Sequence, residues 1–298
     1  MIARSTSQCS RRLPYHAGMT ATIFNSAEPA AGWCAQLELA FTGGEPRTRL
    51  TTRRHVGPLL VQRPFYPEGD VCHVYLVHPP GGIVGGDQLQ LSVAAGPGAR
   101  VLLTTPAATK FYRAAPGLRA VLAQELTLTA ATLEWLPQEN IYFRGAQARV
   151  TTRINLDRQS RFIGWEIGCY GRPAGEELFT AGSLSQDFEL WCEDRPLLLD
   201  HLRLDGAAVP MQAPWGLAGC TALGSLLAYP ATQADVAALR ELREPAGTLS
   251  ASVVDGVLVC RAGGAQGEAV RRRLSGAWQC LRPRILQREA LAPRIWST

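Results

Sequence analysis

The sequence predicts a mainly β protein: a single β-rich, coiled or β-helix-like domain with a few helices, two of them near the C-terminus. Three observations carry that prediction. From Trp33 onward, run after run alternates apolar and polar residues with period two, the signature of half-buried strands. Gly, Pro or polar clusters separate most of these runs, and the chain holds 29 Gly and 20 Pro to supply them. Helical periodicity enters only after residue 230.

Taken in order, Gln36 to Phe41 places Leu37, Leu39 and Phe41 on one face. The same rule holds for Val71 to His78, Gln88 to Ala94, Arg100 to Thr105, Ala120 to Thr129 and Thr132 to Leu136. It holds again for Ala148 to Leu156, Arg161 to Cys169, Ser183 to Trp191 and Leu197 to Leu204. Thr105 followed by Pro106 reads as a cap and first position, so a short helix or turn is expected there. Thr232 predicts the cap of a helix carrying Val236, Leu239 and Leu242, stopped by Pro245. Ser252 to Cys260 reads as a hairpin around Asp255-Gly256, a pair suited to the left-handed backbone of a tight turn. A final helix from about Gln266 to Leu281 aligns Val270, Leu274, Trp278 and Leu281. No fixed internal repeat or disordered linker divides the chain. Residues 1–32 are expected to be a flexible extension, and 33–298 the folded domain.

Composition narrows the function classes. The 298 residues are 46% hydrophobic and 18% charged, which excludes a disordered chain. The net charge of +5 comes from evenly spread arginines, and Lys110 is the only lysine. That pattern argues against a nucleic-acid footprint. The Arg271, Arg272 and Arg273 cluster is expected to be a solvated helix face. Eight scattered cysteines show no C-x-x-C spacing, so reduced, small apolar residues of a cytoplasmic protein are expected. The first residues contain no apolar run of the secretory type, and Met19 is an alternative start. The uncharged stretch between Asp205 and Asp235 is broken by Pro210, Pro214 and Pro230, so soluble core is expected there, not a membrane span.

The chemistry-bearing segments come next. His78 to Leu91 holds Gly81, Gly82, Gly85 and Gly86, which invites a phosphate-loop reading. Asp87 stands where such a loop needs lysine, and a strand pattern follows in place of a helix. The glycines therefore read as backbone devices. Asp87 itself fits a metal ligand, a partner contact or a turn-stabilising side chain, the last being the commonest use of Asp in a tight turn. Thr104 to Ala114 carries Lys110 and Arg113, for which structural or partner-binding use is expected. Glu134, Glu139, Glu166, Glu176 and Glu177 are the acids of the two segments that follow. Paired carboxylates among them leave a carbohydrate-active β-helix or barrel hydrolase as the alternative function. Cys72 and His78 share a strand face but lie roughly 20 Å apart at ~3.3 Å per residue, too far to share an ion. Neither H-E-x-x-H nor G-x-S-x-G occurs.

Four ordered blocks, HPPGGIVGGDQL, TTPAATKFYR, LEWLPQENIYF and the run from Trp165-Glu166 through Gly171-Arg172 to Gly175-Glu176, resemble the UreD (UreH) family of urease accessory proteins. The resemblance covers Trp33 to the C-terminal helix. It implies a non-enzymatic, β-rich scaffold that binds the urease apoprotein and UreF, with the GTPase UreG reached through UreF, in a dimer of heterocomplexes. It further implies no tightly bound cofactor, only a nickel ion in transit through a water-filled passage. Asp87 and Glu176 are the first candidates for passage carboxylates, with Glu166 and Glu139 behind them. Gly81, Gly82, Gly85, Gly86, Lys110 and Arg113 are expected to be partner-binding or structural.

Overall fold

The computed structural model describes residues 32–206, 211–242 and 249–297. The expected N-terminal extension lies outside the described residues, apart from Gly32, as does Pro245. The strands are β1 (Cys34–Thr42), β2 (Arg49–Val56), β3 (Leu60–Val61), β4 (Cys72–Val77), β5 (Gln88–Ala95), β6 (Arg100–Thr104), β7 (Thr109–Phe111), β8 (Ala120–Leu128) and β9 (Thr132–Leu136). They continue with β10 (Asn140–Tyr142), β11 (Gln147–Leu156), β12 (Arg161–Arg172), β13 (Glu177–Leu178), β14 (Ser183–Cys192), β15 (Arg195–Asp205), β16 (Ala222–Tyr229), β17 (Leu249–Val254) and β18 (Val257–Gly264). Among the described residues the α-helices are α1 (Gln233–Arg240) and α2 (Gly267–Ile285).

The middle of the chain winds as a coil with three faces. Strands β4, β6, β9 and β12 stack in parallel on the first face. Strands β5, β8, β11 and β14 stack in parallel on the second. The short β7 and β10, joined by the distal part of β12, make a narrow third face. Flanking strands finish the two broad sheets: β1 lies parallel to β5, β2 closes antiparallel on β1, and β15 closes on β14. On the first sheet, β16, β18 and β17 continue antiparallel from β12.

The alternation explains the core directly. Leu89, Leu91 and Val93 of β5 stack on Leu122 and Leu126 of β8 and on Val150 and Ile154 of β11, all buried between the sheets. Strand β12 is buried on both sides, because its second face meets α2. Helix α2 lays Val270, Leu274, Trp278, Leu281 and Ile285 against the first sheet. Full burial of a side chain of this size contributes about 1.5–3 kcal/mol. The helix runs past the expected end at Leu281 and through Pro283, whose ring sits in the last turn. Helix α1 begins at Thr232 with a capping box, Asp235 accepting the Thr232 N–H at 2.8 Å. The Asp255-Gly256 turn has φ of 48° and 76°, as the hairpin requires. Among the described residues no helix is long and apolar enough to cross a membrane.

Where a short helix or turn is expected at Thr105-Pro106, the chain takes a non-helical bend, and the Thr105 hydroxyl accepts the Gln138 N–H from the next turn of the coil at 2.8 Å. One expectation is corrected. The arginine cluster on α2 is not a uniformly solvated face. Arg272 is exposed, but Arg273 is buried and donates to the Gly263 carbonyl, while Arg271 pairs with Glu139.

A buried ionic cluster fastens α2 to the coil. The fully buried Arg282 donates from Nε and Nη2 to Glu134 at 2.9–3.2 Å and from Nη2 to Glu68 at 2.8 Å. The Trp278 indole also donates to Glu134, at 2.7 Å, and His73 pairs with Glu68 at 2.7 Å. Burial pushes the Glu134 carboxyl upward against the opposing pull of Arg282. Burial also acts to raise Glu68, but hydrogen bonds from His73 and Arg282 outweigh it and hold that carboxyl low. Removing one partner strands the others without solvent. Arg282→Met is expected to cost about 3–5 kcal/mol, read as a lower urea midpoint, and adding Glu134→Gln should recover part of it. An unchanged midpoint in Arg282→Met would show that the cluster does not hold the helix.

Candidate functional site

The inward column of the second sheet is apolar except at its centre. There the register sets Leu91 beside Gln124, Gln124 beside Thr152, and Thr152 beside Phe188. Glu166 reaches the same place from β12, flanked along the strand's inward face by Gly164 and Gly168. A side chain at either glycine would strike an aromatic neighbour, the Phe162 ring or the Tyr170 ring.

Glu166 is 3% exposed and sits in a network of neutral donors. The Thr152 hydroxyl donates to its Oε1, and Gln186 Nε2 donates to its Oε2 at 2.9 Å. Gln124 Nε2 donates to the Thr152 hydroxyl at 2.6 Å. No cation pairs with this carboxylate among the described residues. Burial therefore pushes its carboxyl up to about 7, with nearby Asp200 adding to the rise and the Thr152 and Gln186 hydrogen bonds opposing it. The carboxyl group opens on a cleft of about 490 Å³ whose lining includes Gln186, Asp200, His201, Trp215 and Arg261. Asp200 pairs with Arg261 at 2.9 Å. The Gln186 Oε1 is buried with no hydrogen-bond partner among the described residues, leaving an acceptor beside Glu166 for water or a cation.

The other sequence candidates lie elsewhere. Asp87 is 5% exposed and accepts the Trp33 N–H at 2.8 Å and the Val84 N–H at 2.9 Å, one on each oxygen, so it fastens its own turn. Gly81 and Gly86 take φ of 75° and 94° in that turn, Gly82 lies under the Tyr112 ring, and Gly85 abuts Leu118. Glu139 pairs with Arg271 of α2 at 3.2 Å. Glu176 is exposed, with φ of 57°, after the short helical turn Pro173–Gly175. Lys110 is half-buried on β7 and Arg113 is exposed just beyond it. Among the described residues no three His, Cys, Asp or Glu gather as a metal cage, and no disulfide forms.

Sequence reasoning named Glu166 but missed Gln124, Thr152, Gln186 and Asp200. A signal was present for the first three, each a polar side chain at an inward position of an alternating strand. Their convergence depends on strand register, which one strand's pattern does not encode.

Fold and site together define a coiled β scaffold with a polar cleft, whose glycine-rich turn serves backbone geometry. Residues 34–297 match the family model described as UreD urease accessory protein. The urease accessory protein UreD of Citrobacter koseri is 44% identical over 271 residues, covering 90% of this chain and 92% of the relative. Those of Klebsiella aerogenes and Pseudomonas putida are also 44% identical, covering 90% of this chain and 97% and 95% of theirs. The chain belongs to the UreD family of urease accessory proteins.

The raised Glu166 carboxyl gives a test of sign. The folded state holds this proton more tightly than the unfolded chain, so the Glu166 contribution to stability is fully present below about pH 4.5 and is lost as pH rises to about 7. The loss amounts to about 3 kcal/mol once the carboxylate is ionised. Urea unfolding across that range should show the decline in the wild type and a flatter profile in Glu166→Gln. Parallel profiles would mean that Glu166 titrates in the folded protein as it does in the unfolded chain.

Proposed function

We propose that this chain is a scaffold in urease maturation that passes nickel and performs no catalysis of its own. In this reading it works in the cytoplasm, binds the urease apoprotein and recruits UreF and, through it, the GTPase UreG. Nickel crosses the polar interior at Glu166 on its way to the urease active site, and the assembly is a dimer of heterocomplexes. Family membership supports the urease connection, since the relatives bear the name urease accessory protein. The observation that supports passage is a buried carboxylate with only neutral partners, open to a polar cleft.

The donor set suits transit. One carboxylate, a hydroxyl and two carboxamides offer hard oxygen ligands, which hold a nickel ion less firmly than imidazole or thiolate would. Nearby Asp200 adds negative charge at the mouth, while its Arg261 partner keeps that charge partly balanced. A carboxyl poised near neutrality can give up its proton as the ion arrives and recover it as the ion leaves. Glu166 and Asp200 are also the pair a glycosidase reading would choose, but the relatives' names favour an accessory role.

Urease activation in cells lacking their own UreD protein tests this reading. The wild-type chain with its cognate partners should restore urease activity and nickel content. Glu166→Gln should reduce both on the order of 10-fold while still co-purifying with the apoprotein, and the exposed Glu176→Ala should leave both unchanged. Full activation by Glu166→Gln would remove Glu166 from the nickel route. No activation by the wild type would overturn the scaffold reading.

A further inference from the structure

The third face of the coil carries a pattern that nickel passage does not use. Three successive turns repeat an aromatic residue, one spacer and an arginine: Phe111-Tyr112-Arg113, Tyr142-Phe143-Arg144 and Tyr170-Gly171-Arg172. The strand register sets Tyr142 beside both Phe111 and Tyr170, so the three units stack in line. The first members form an inward ladder, with ring centroids 4.9 Å and 6.1 Å apart and planes within 22° and 14° of parallel. The spacers form an outer ladder. The Tyr112 ring lies over Gly82 and 5.0 Å from Phe143, and the Arg172 guanidinium covers Phe143 at 4.5 Å.

The arginines are not equivalent. Arg172 is answered by Glu177 at 2.9 Å from its Nε. Arg113 and Arg144 are exposed, and neither has an ion-pair partner among the described residues. The Arg113 side chain lies against Gly145, next to Arg144, and the Glu177 carboxylate, already paired with Arg172, accepts the Arg144 backbone N–H at 2.9 Å, so two of the three guanidinium groups lack a carboxylate within ion-pair distance among the described residues. Around them Val84, Tyr112, Leu118 and Leu178 are exposed, between 36% and 46%. The contacts run on from one to the next: Leu118 abuts Gly85 beside Val84, Tyr112 packs on Phe143, and Arg172 leads through Glu177 to Leu178. Apolar surface threaded with unpaired arginines is the composition of a protein-docking site.

We propose that this face docks an acidic segment of a partner protein, with carboxylates on Arg113 and Arg144 and flanking apolar side chains against Tyr112, Val84 and Leu178. It rests on the scaffold reading and deepens it by assigning a surface and the chemistry of its occupant. The valine and leucines favour a polypeptide over a nucleic acid, which would ask for phosphate contacts and open stacking platforms.

Photocrosslinking tests it with the full chain in urease-assembling cells. Leu178→p-benzoylphenylalanine should crosslink to a peptide rich in Asp and Glu, while the same probe at Leu199, exposed on β15, should not reach that peptide. In the Arg113→Glu/Arg144→Glu background the yield should fall by about tenfold or more, and Arg113→Lys/Arg144→Lys should retain it. A thermal melt of each variant confirms that the exposed substitutions leave the fold intact. Unchanged yield after charge reversal, or a crosslink only to a neutral or basic peptide, a nucleic acid or a second copy of the chain, overturns the proposal. Urease activation without any Leu178 crosslink sinks the docking face alone, whereas the acidic crosslink from the probe-bearing chain, with the wild-type chain failing to activate urease, sinks the scaffold reading alone.

Discussion

Register between successive turns of the coil is the constraint on which the rest depends. Parallel strands β5, β8, β11 and β14 pair without a shift, and β4, β6, β9 and β12 do the same on the opposite face. A slip by one residue would exchange inward for outward side chains along a whole strand. With the register kept, Gln124 and Thr152 meet under Glu166, and Phe111, Tyr142 and Tyr170 stack inside the third face. The polar centre and the aromatic ladder are thus two products of one stacking rule.

The coil does not stand alone. Its first sheet has a second apolar face, and the run from Phe162 to Tyr170 is buried on both sides because α2 covers it. Apolar packing supplies most of that contact, while the Arg282 cluster fixes where along the sheet the helix rests. Glu68 and His73 come from the start of the coil, Glu134 from its third turn, and Arg282 from the helix. One buried guanidinium therefore ties together residues far apart in sequence. Buried pairs of this kind add little net stability over apolar packing, yet they penalise any arrangement that leaves a charge unmatched.

Much of the architecture was legible because period two is a local property. Each of the ten alternating runs became a strand, and the Asp255-Gly256 hairpin and the Thr232 cap formed as their residue types dictate. Strand β2 was not legible, since Arg49 to Val56 is an exposed edge strand with little apolar alternation. Strand β16 was hidden in an apolar stretch without clear alternation, and β7 and β10 are too short to show a period. The structural repeat left no uniform sequence repeat because each turn carries a loop of different length. At the site, Glu166 was named among the acids of its segment and, through the family resemblance, as a passage carboxylate behind Asp87 and Glu176, but only the fold brings Gln186 and Asp200 to it. Asp87 drew attention because it follows four glycines where a phosphate loop would need lysine, and its two backbone hydrogen bonds hold it in a turn.

Nickel passage through the interior is the central claim, and anomalous diffraction at the nickel absorption edge addresses it most directly. Crystals of the chain soaked in Ni²⁺ about one pH unit above and below the Glu166 midpoint would locate the ion in both charge states. The account predicts a partly occupied site beside Glu166 and Gln186 at the higher pH, lost at the lower. Nickel found only on surface groups, with nothing in the cleft at either pH, would contradict it.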